Sequence, residues 1–245
     1  MTSLLRTAAV LAAAASTVVI GPMVVALAFT DERAADPLLR LWCNNLLRAA
    51  GVREEVHGLE HLPAGNAVYV CNHQSNFDPV FIYARLGKHL RFLAKAELFK
   101  IPFFGAALRA TGMIPVDRSG GERDKEAVAK AVEVVQSRSS VVFFAEGTRE
   151  PNGQLRPFKK GAAVLALQAQ VPLVPLAVAG TKDVLRKQSM FVHGGRPTVL
   201  MVGEPISTVG MALEERDALT ERAHARVAEL LAAANSRVEE MLHHG

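Results

Sequence analysis

Beyond residue 60 the chain alternates short apolar runs with stretches of helical spacing. The runs are 67–71 (AVYVC), 90–94 (LRFLA), 112–117 (GMIPVD), 140–145 (SVVFFA), 173–178 (LVPLAV) and 197–202 (PTVLMV). They are short, mostly continuous and rich in Val, Leu, Ile and Phe, the pattern of strands buried on both faces. Residues 122–137 place Val128, Ala131, Val132 and Val135 on one helical face, with a Glu126–Lys130 pair outside it. Residues 160–169 read as a short apolar helix. The tail over 213–242 carries Leu219, Ala223, Val227, Leu230, Ala234, Val238 and Leu242 as a stripe. Strands alternating with helices predict an α/β fold, a mostly parallel central sheet flanked by helices. Sites in such sheets lie beyond the C-terminal strand ends, which singles out the residues that follow each run.

The first fifty residues follow a different pattern. Between Arg6 and Asp31 stand 24 uncharged residues, 18 of them apolar, close to the roughly 20 needed to cross a bilayer. Eight are alanine, and Gly21-Pro22 interrupts the stretch. A secretory signal peptide, with Arg6 as its basic end and Ala26-Leu27-Ala28 as its cleavage site, is an equal reading of these residues. From Asp36 to Ala50, Leu39, Trp42, Cys43, Leu46 and Ala50 fall at helical spacing. Asp36 is placed to cap that helix, Pro37 to start it and Gly51 to end it. Together the two segments suggest an N-terminal membrane-associated helical hairpin over 1–51, ahead of a domain over 52–245. The alternative, that the second helix packs on the domain, is equally open.

Composition narrows the function. Of 245 residues 28 are Lys or Arg and 24 Asp or Glu, a formal charge of +4. That excess suits an anionic small molecule or an acidic membrane surface and does not identify a nucleic-acid partner. Two cysteines exclude a disulfide scaffold and a four-thiolate zinc site. His57, His61, His73 and Asp78 form no convincing ligand set, so no metal is expected. GxxxxGK[ST], strand-linked GxGxxG and GxSxG patterns are all missing, which argues against nucleotide hydrolysis, dinucleotide binding and a serine elbow.

The strand ends carry the chemistry. After 67–71 comes Asn72-His73-Gln74-Ser75-Asn76-Phe77-Asp78-Pro79. Asp78 before Pro79 reads as a helix cap, yet a carboxylate five residues past a histidine can also orient the imidazole and raise the basicity of its other nitrogen. After 112–117 comes Arg118, and after the fifth strand Glu146-Gly147-Thr148-Arg149. Arginine forks suit phosphate oxygens, and Lys159-Lys160-Gly161 adds cations at a helix start.

NHQSNFD (72–78), GMIPVDR (112–118), FAEGTR (144–149) and VPLVPLA (171–177) resemble, in order and spacing, the four motifs of the glycerolipid acyltransferase family, in its lysophosphatidic acid acyltransferase branch. The resemblance covers about 70–205. It implies an enzyme of phospholipid biosynthesis, moving an acyl chain from acyl-CoA or acyl carrier protein to the sn-2 hydroxyl of 1-acylglycerol-3-phosphate and giving phosphatidic acid. The donor is a co-substrate, and no cofactor is expected. His73 is then the general base and Asp78 its orienter. Arg118, Glu146, Gly147, Thr148, Arg149 and Lys95 form the acceptor-phosphate site, and Asn72, Pro172 and Pro175 shape its walls. An acyl-CoA donor and a lipid acceptor imply work at the cell membrane, with the catalytic domain on the cytoplasmic side. The third motif usually has proline where Ala145 stands and often serine where Glu150 stands. The second often has an apolar residue in place of Pro115. Glu150 adds negative charge near the phosphate site, so another lyso-lipid or glycerol 3-phosphate remains an alternative acceptor. A non-catalytic anionic-lipid-binding protein is a third reading, against which the His73–Asp78 pair argues. Phe99, Phe103 and Phe104 are candidates either for an acyl tunnel or for helix packing.

Overall fold

All six apolar runs form strands in the computed structural model, which describes residues 3–31, 33–117, 121–137, 139–149, 154–186, 189 and 192–244, with only the backbone described for 3–14 and 123. They are β2 (Val68–Cys71), β3 (Leu90–Lys95), β4 (Ile114–Val116), β5 (Ser140–Phe144), β6 (Leu173–Ala179) and β7 (Pro197–Val202). A seventh, β1 (Arg53–His57), reads REEVH and has no apolar signature. It is a half-buried edge strand beside β7, and its charges are matched across the surface, Glu54 by Arg85 and Glu55 by Arg237. The sheet order is β1-β7-β6-β2-β5-β3-β4, and every neighbouring pair is parallel except β6–β7.

Helices cover both faces. The N-terminal helices are α1 (Ser3–Ala28) and α2 (Asp36–Ala49). After them come α3 (Asp78–Leu86), α4 (Phe104–Ala110), α5 (Glu122–Ser137), α6 (Gly161–Ala169), the short α7 (Thr181–Val184) and α8 (Arg216–His243). Alternate residues of each strand go to opposite layers. Tyr69, Cys71, Val174 and Leu176 meet Cys43 and Leu47 of α2 and Phe81 and Ile82 of α3. Val68, Val70, Val141 and Phe143 meet Ala131 of α5, Leu165 of α6 and Val227 of α8. The stripe expected on α8 is buried at Leu219, Ala223, Val227, Ala234 and Val238, while Leu242 is exposed.

The N-terminal segment differs from its expectation in two places. Gly21-Pro22 does not interrupt the helix; α1 runs through it and forgoes the hydrogen bond whose N–H donor proline lacks. Asp36 does not cap α2. It is the first residue of the helix and is buried, accepting from the Tyr83 hydroxyl (2.7 Å) and pairing with Arg91 (2.9 Å). α1 packs on α2 through Ile20, Val24, Ala28, Leu38, Leu39 and Trp42, and the Trp42 indole donates to the Thr17 hydroxyl at 2.9 Å. Cys43, Leu47 and Ala50 belong to the main core, so the packing does not part at residue 51. Among the described residues no helix is long and apolar enough to cross a membrane.

Candidate active site

The parallel ladder of β2 and β6 pairs Cys71 with Leu176 and then stops. Beyond it, the Asn72 side chain replaces the backbone. Its Nδ2 donates to Val178 O (2.9 Å) and its Oδ1 accepts from Val178 N (2.8 Å). Asn72 thus fixes the exit of β2. The chain then turns, and His73 points from the strand end with only 7% of its surface exposed.

His73 Nδ1 lies 2.7 Å from Asp78 Oδ2. The same oxygen accepts Gln74 N–H (2.8 Å) and Ser75 N–H (2.9 Å), and Oδ1 accepts the Thr181 hydroxyl. Asp78 is fully buried, and these four donors replace the water it has lost. It therefore reaches back into the 73–75 loop and does not cap α3, whose N-cap is Phe77. With a carboxylate on Nδ1, the neutral ring carries its proton there and leaves Nε2 as the basic nitrogen. Nε2 has no protein partner among the described residues. Phe144, the last residue of β5, stacks on the imidazole with centroids 4.0 Å apart. Sequence reasoning missed Phe144 and Thr181: one reads as a strand residue, and the other lies outside every motif.

The next strand over supplies Glu146. Its Oε1 accepts His73 N–H (2.7 Å) and its Oε2 accepts Arg156 N–H (3.1 Å). Among its contacts, the carboxylate anchors the His73 backbone, which the motif spacing does not foretell. Gly147 has φ +72°, and a Cβ there would meet Lys159 Cε at 2.9 Å, so Lys159 lies across this glycine. Thr148 and Arg149 follow, half-buried. Lys160 does not join them; it pairs with Asp217 of α8 at 2.8 Å. Lys95 ends β3, two strands from β2 and so roughly 10 Å along the same rim. It is exposed and 3.4 Å from Glu97. Arg118 and Glu150 lie outside the described residues.

The two prolines are not at this rim. Pro172 precedes β6, where its carbonyl accepts Val68 N–H at the start of β2, roughly 15 Å of strand from His73. Pro175 sits mid-strand and packs toward Gly203 and Leu230, on the α8 side of the sheet. Parallel alignment puts motif neighbours at opposite strand ends, which spacing alone does not reveal. Phe99 is buried in the core, while Phe103 and Phe104 lie on the surface.

Cys71 immediately precedes the site. Burial, reinforced by the Asp78 and Glu146 charges, pushes its thiol well above the ordinary range, so it stays protonated and makes a poor nucleophile. Among the described residues no group of three or more His, Cys, Asp or Glu side chains is placed to hold a metal ion.

Known proteins resemble this chain. A 1-acyl-sn-glycerol-3-phosphate acyltransferase of Brassica napus chloroplasts is 34% identical over 156 residues, covering 63% of this chain and 45% of the relative. The alpha 1-acyl-sn-glycerol-3-phosphate acyltransferase of Ovis aries is 35% identical over 190 residues, covering 76% and 65%. The chain thus spans less than two thirds of the length of these curated relatives. The crystal structure of the 1-acyl-sn-glycerophosphate (LPA) acyltransferase PlsC from Thermotoga maritima superposes with a TM-score of 0.75 at 26% identity, covering 93% of this chain and 95% of that one. The family model described as Acyltransferase matches residues 53–179, from β1 through β6 and including the His73–Asp78 pair, and the chain belongs to that family.

Proposed function

We propose that the protein transfers an acyl chain from acyl-CoA or acyl carrier protein to the sn-2 hydroxyl of 1-acylglycerol-3-phosphate. The observation that carries this reading is the 2.7 Å contact of His73 Nδ1 with a carboxylate that four donors hold in place. His73 Nε2 takes the proton of the hydroxyl as its oxygen attacks the thioester carbonyl. The tetrahedral intermediate expels the thiolate, and His73 returns the proton to it, releasing the free thiol. During attack the ring is an imidazolium, and Asp78 balances that charge at contact distance. The face of Phe144 adds a favourable surface for the same cation. Direct transfer needs no acyl-enzyme, which agrees with a protonated, buried Cys71.

The acceptor phosphate is assigned to the cationic rim of Arg149, Lys159 and Lys95. Gly147 belongs there because its missing side chain lets Lys159 approach. Association with the cell membrane is part of the proposal, with the catalytic domain on the cytoplasmic side, where an acyl-CoA donor is found. An exposed apolar surface supports it: Val18, Val19, Met23 and Phe29 of the N-terminal pair, with Leu98, Ile101, Phe103 and Phe104 in and before α4, which packs on α1 through Ala110.

The test is an acyl-transfer assay with a panel of lyso-lipids and acyl-CoA lengths, on wild type and His73→Ala. The proposal expects phosphatidic acid from lysophosphatidate with wild type and about a hundredfold to ten-thousandfold loss in the variant. Full activity in a folded His73→Ala protein would sink it.

A further inference from the structure

We infer that Thr181 is a positioning residue of the His73–Asp78 pair, its hydroxyl holding Asp78 Oδ1 so that Oδ2 stays on His73 Nδ1. The inference deepens the proposed acyl transfer and rests on it.

Thr181 is fully buried and lies 103 residues from Asp78, in the first turn after β6. Asp78 Oδ2 already takes three donors from its own loop; Thr181 is the donor on Oδ1. Without that hydroxyl, Oδ1 would be a buried, charged acceptor with its partner removed, the costly half of a broken hydrogen bond. Rotation of the carboxylate would then compete with the geometry His73 needs.

The turn that presents Thr181 is itself constrained. Gly180 has φ +82°, and a Cβ there would come within 2.1 Å of Pro197 O in β7. The hydroxyl is therefore delivered by a backbone that the antiparallel β6–β7 pair holds. Two further ties join the same segment to the histidine loop: the pair of bonds between Asn72 and Val178, and Ser75 Oγ donating to Leu185 O at 2.6 Å. Of these three ties, Thr181 is the one that meets an ionisable member of the pair.

This placement has an electrostatic consequence. The hydroxyl on Oδ1 keeps the charge of Oδ2 on His73 Nδ1. Without it the carboxylate can turn away, the imidazolium loses its counter-charge, and the base gives up its proton at lower pH. A purely structural threonine would lower stability when replaced and leave proton affinity alone.

The experiment compares wild type, Thr181→Val and Thr181→Ser. It uses pH–rate profiles for lysophosphatidate and acyl-CoA, together with an NMR titration of His73 Cε1 in ¹³C-histidine-labelled protein. Thr181→Val should lower kcat about tenfold to hundredfold with little change in KM. Its acid limb and its His73 titration should both move down by about half to one pH unit. Thr181→Ser should restore both. An acid limb and a titration unchanged from wild type in Thr181→Val overturn the inference, whatever happens to the melting temperature. If Thr181→Val does not fold, Thr181→Ala also removes the donor, and the same two readings decide. Wild-type protein inactive toward lysophosphatidate would count against the proposed function, while the NMR titration would still judge Thr181.

Discussion

The guanidinium of Arg91 and the carboxylate of Asp36 meet at 2.9 Å with both side chains withdrawn from solvent. The pair joins α2 to β3, and Tyr83 of α3 and His89 complete the ring around the carboxylate. Removing one member of a buried pair leaves an uncompensated charge, at a cost of about 3–5 kcal/mol. Asp36→Ala should therefore lower the urea midpoint strongly. A double variant with apolar replacements, Asp36→Leu with Arg91→Met, should recover much of the loss. A single variant with an unchanged midpoint would show that α2 is held by other contacts.

At the site, Asp78→Asn replaces an acceptor of four donors with an amide that has one acceptor atom. The amide nitrogen then faces either the Gln74 and Ser75 amides or the Thr181 hydroxyl. We expect kcat to fall about a hundredfold to ten-thousandfold with KM for the acceptor within a few-fold, measured by steady-state transfer. A variant that raised KM alone would assign Asp78 to binding.

The two thiols give a pH dependence with a definite sign. Burial pushes the Cys43 thiol up to about 12 and Cys71 well above its ordinary value. Between about pH 9 and 12 the unfolded chain loses those protons and the native state keeps them. Their contribution is therefore intact below pH 9 and declines as pH rises, by up to about 1.4 kcal/mol per unit per thiol. Melting temperatures from pH 8 to 10.5 should fall less steeply in a Cys43→Ala, Cys71→Ala protein than in wild type. Equal slopes would refute the assignment.

The Ala145 N–H donates to Cys71 O at 3.2 Å. Ala145→Pro removes that donor between β5 and β2. A loss of about 1 kcal/mol, or about 2–4 °C in melting temperature, is expected with the fold intact. A higher melting temperature would mean that proline's stiffer unfolded chain outweighs the bond.

Phe103 is 90% exposed with φ +61°, an unusual backbone for a bulky residue, just before α4, which packs on α1 through Ala110. If this segment meets lipid, Phe103→Ser should weaken cosedimentation with phosphatidic acid-containing vesicles several-fold and leave transfer to detergent-dispersed acceptor unchanged. Undiminished vesicle binding would remove this segment from the proposed membrane face.

Six strands and the helices α2, α5, α6 and α8 were legible because apolar runs and helical stripes are local signals, repeated over two to four residues. β1 was not, because REEVH is an edge strand whose charges pair laterally with Arg85 and Arg237, and nothing in its own pattern reports that shelter. The motif residues His73 and Asp78 were readable as a pair, since five residues of loop suffice to bring them together.

Other assignments depended on which strands are neighbours. Glu146 reads as an acid among phosphate-seeking cations, yet sheet order puts it beneath the His73 amide. Pro172 and Pro175 belong to a motif expected at the site, but parallel alignment puts Pro172 at the far end of its strand and the pleat turns Pro175 to the α8 face. By itself the sequence determined the α/β pattern, the pairing of a histidine with a carboxylate and the family resemblance. The tertiary structure alone decided what holds that carboxylate, because Thr181 reaches Asp78 across 103 residues of chain. Such a contact exists only once β6 has docked beside β2, and no local periodicity encodes that docking.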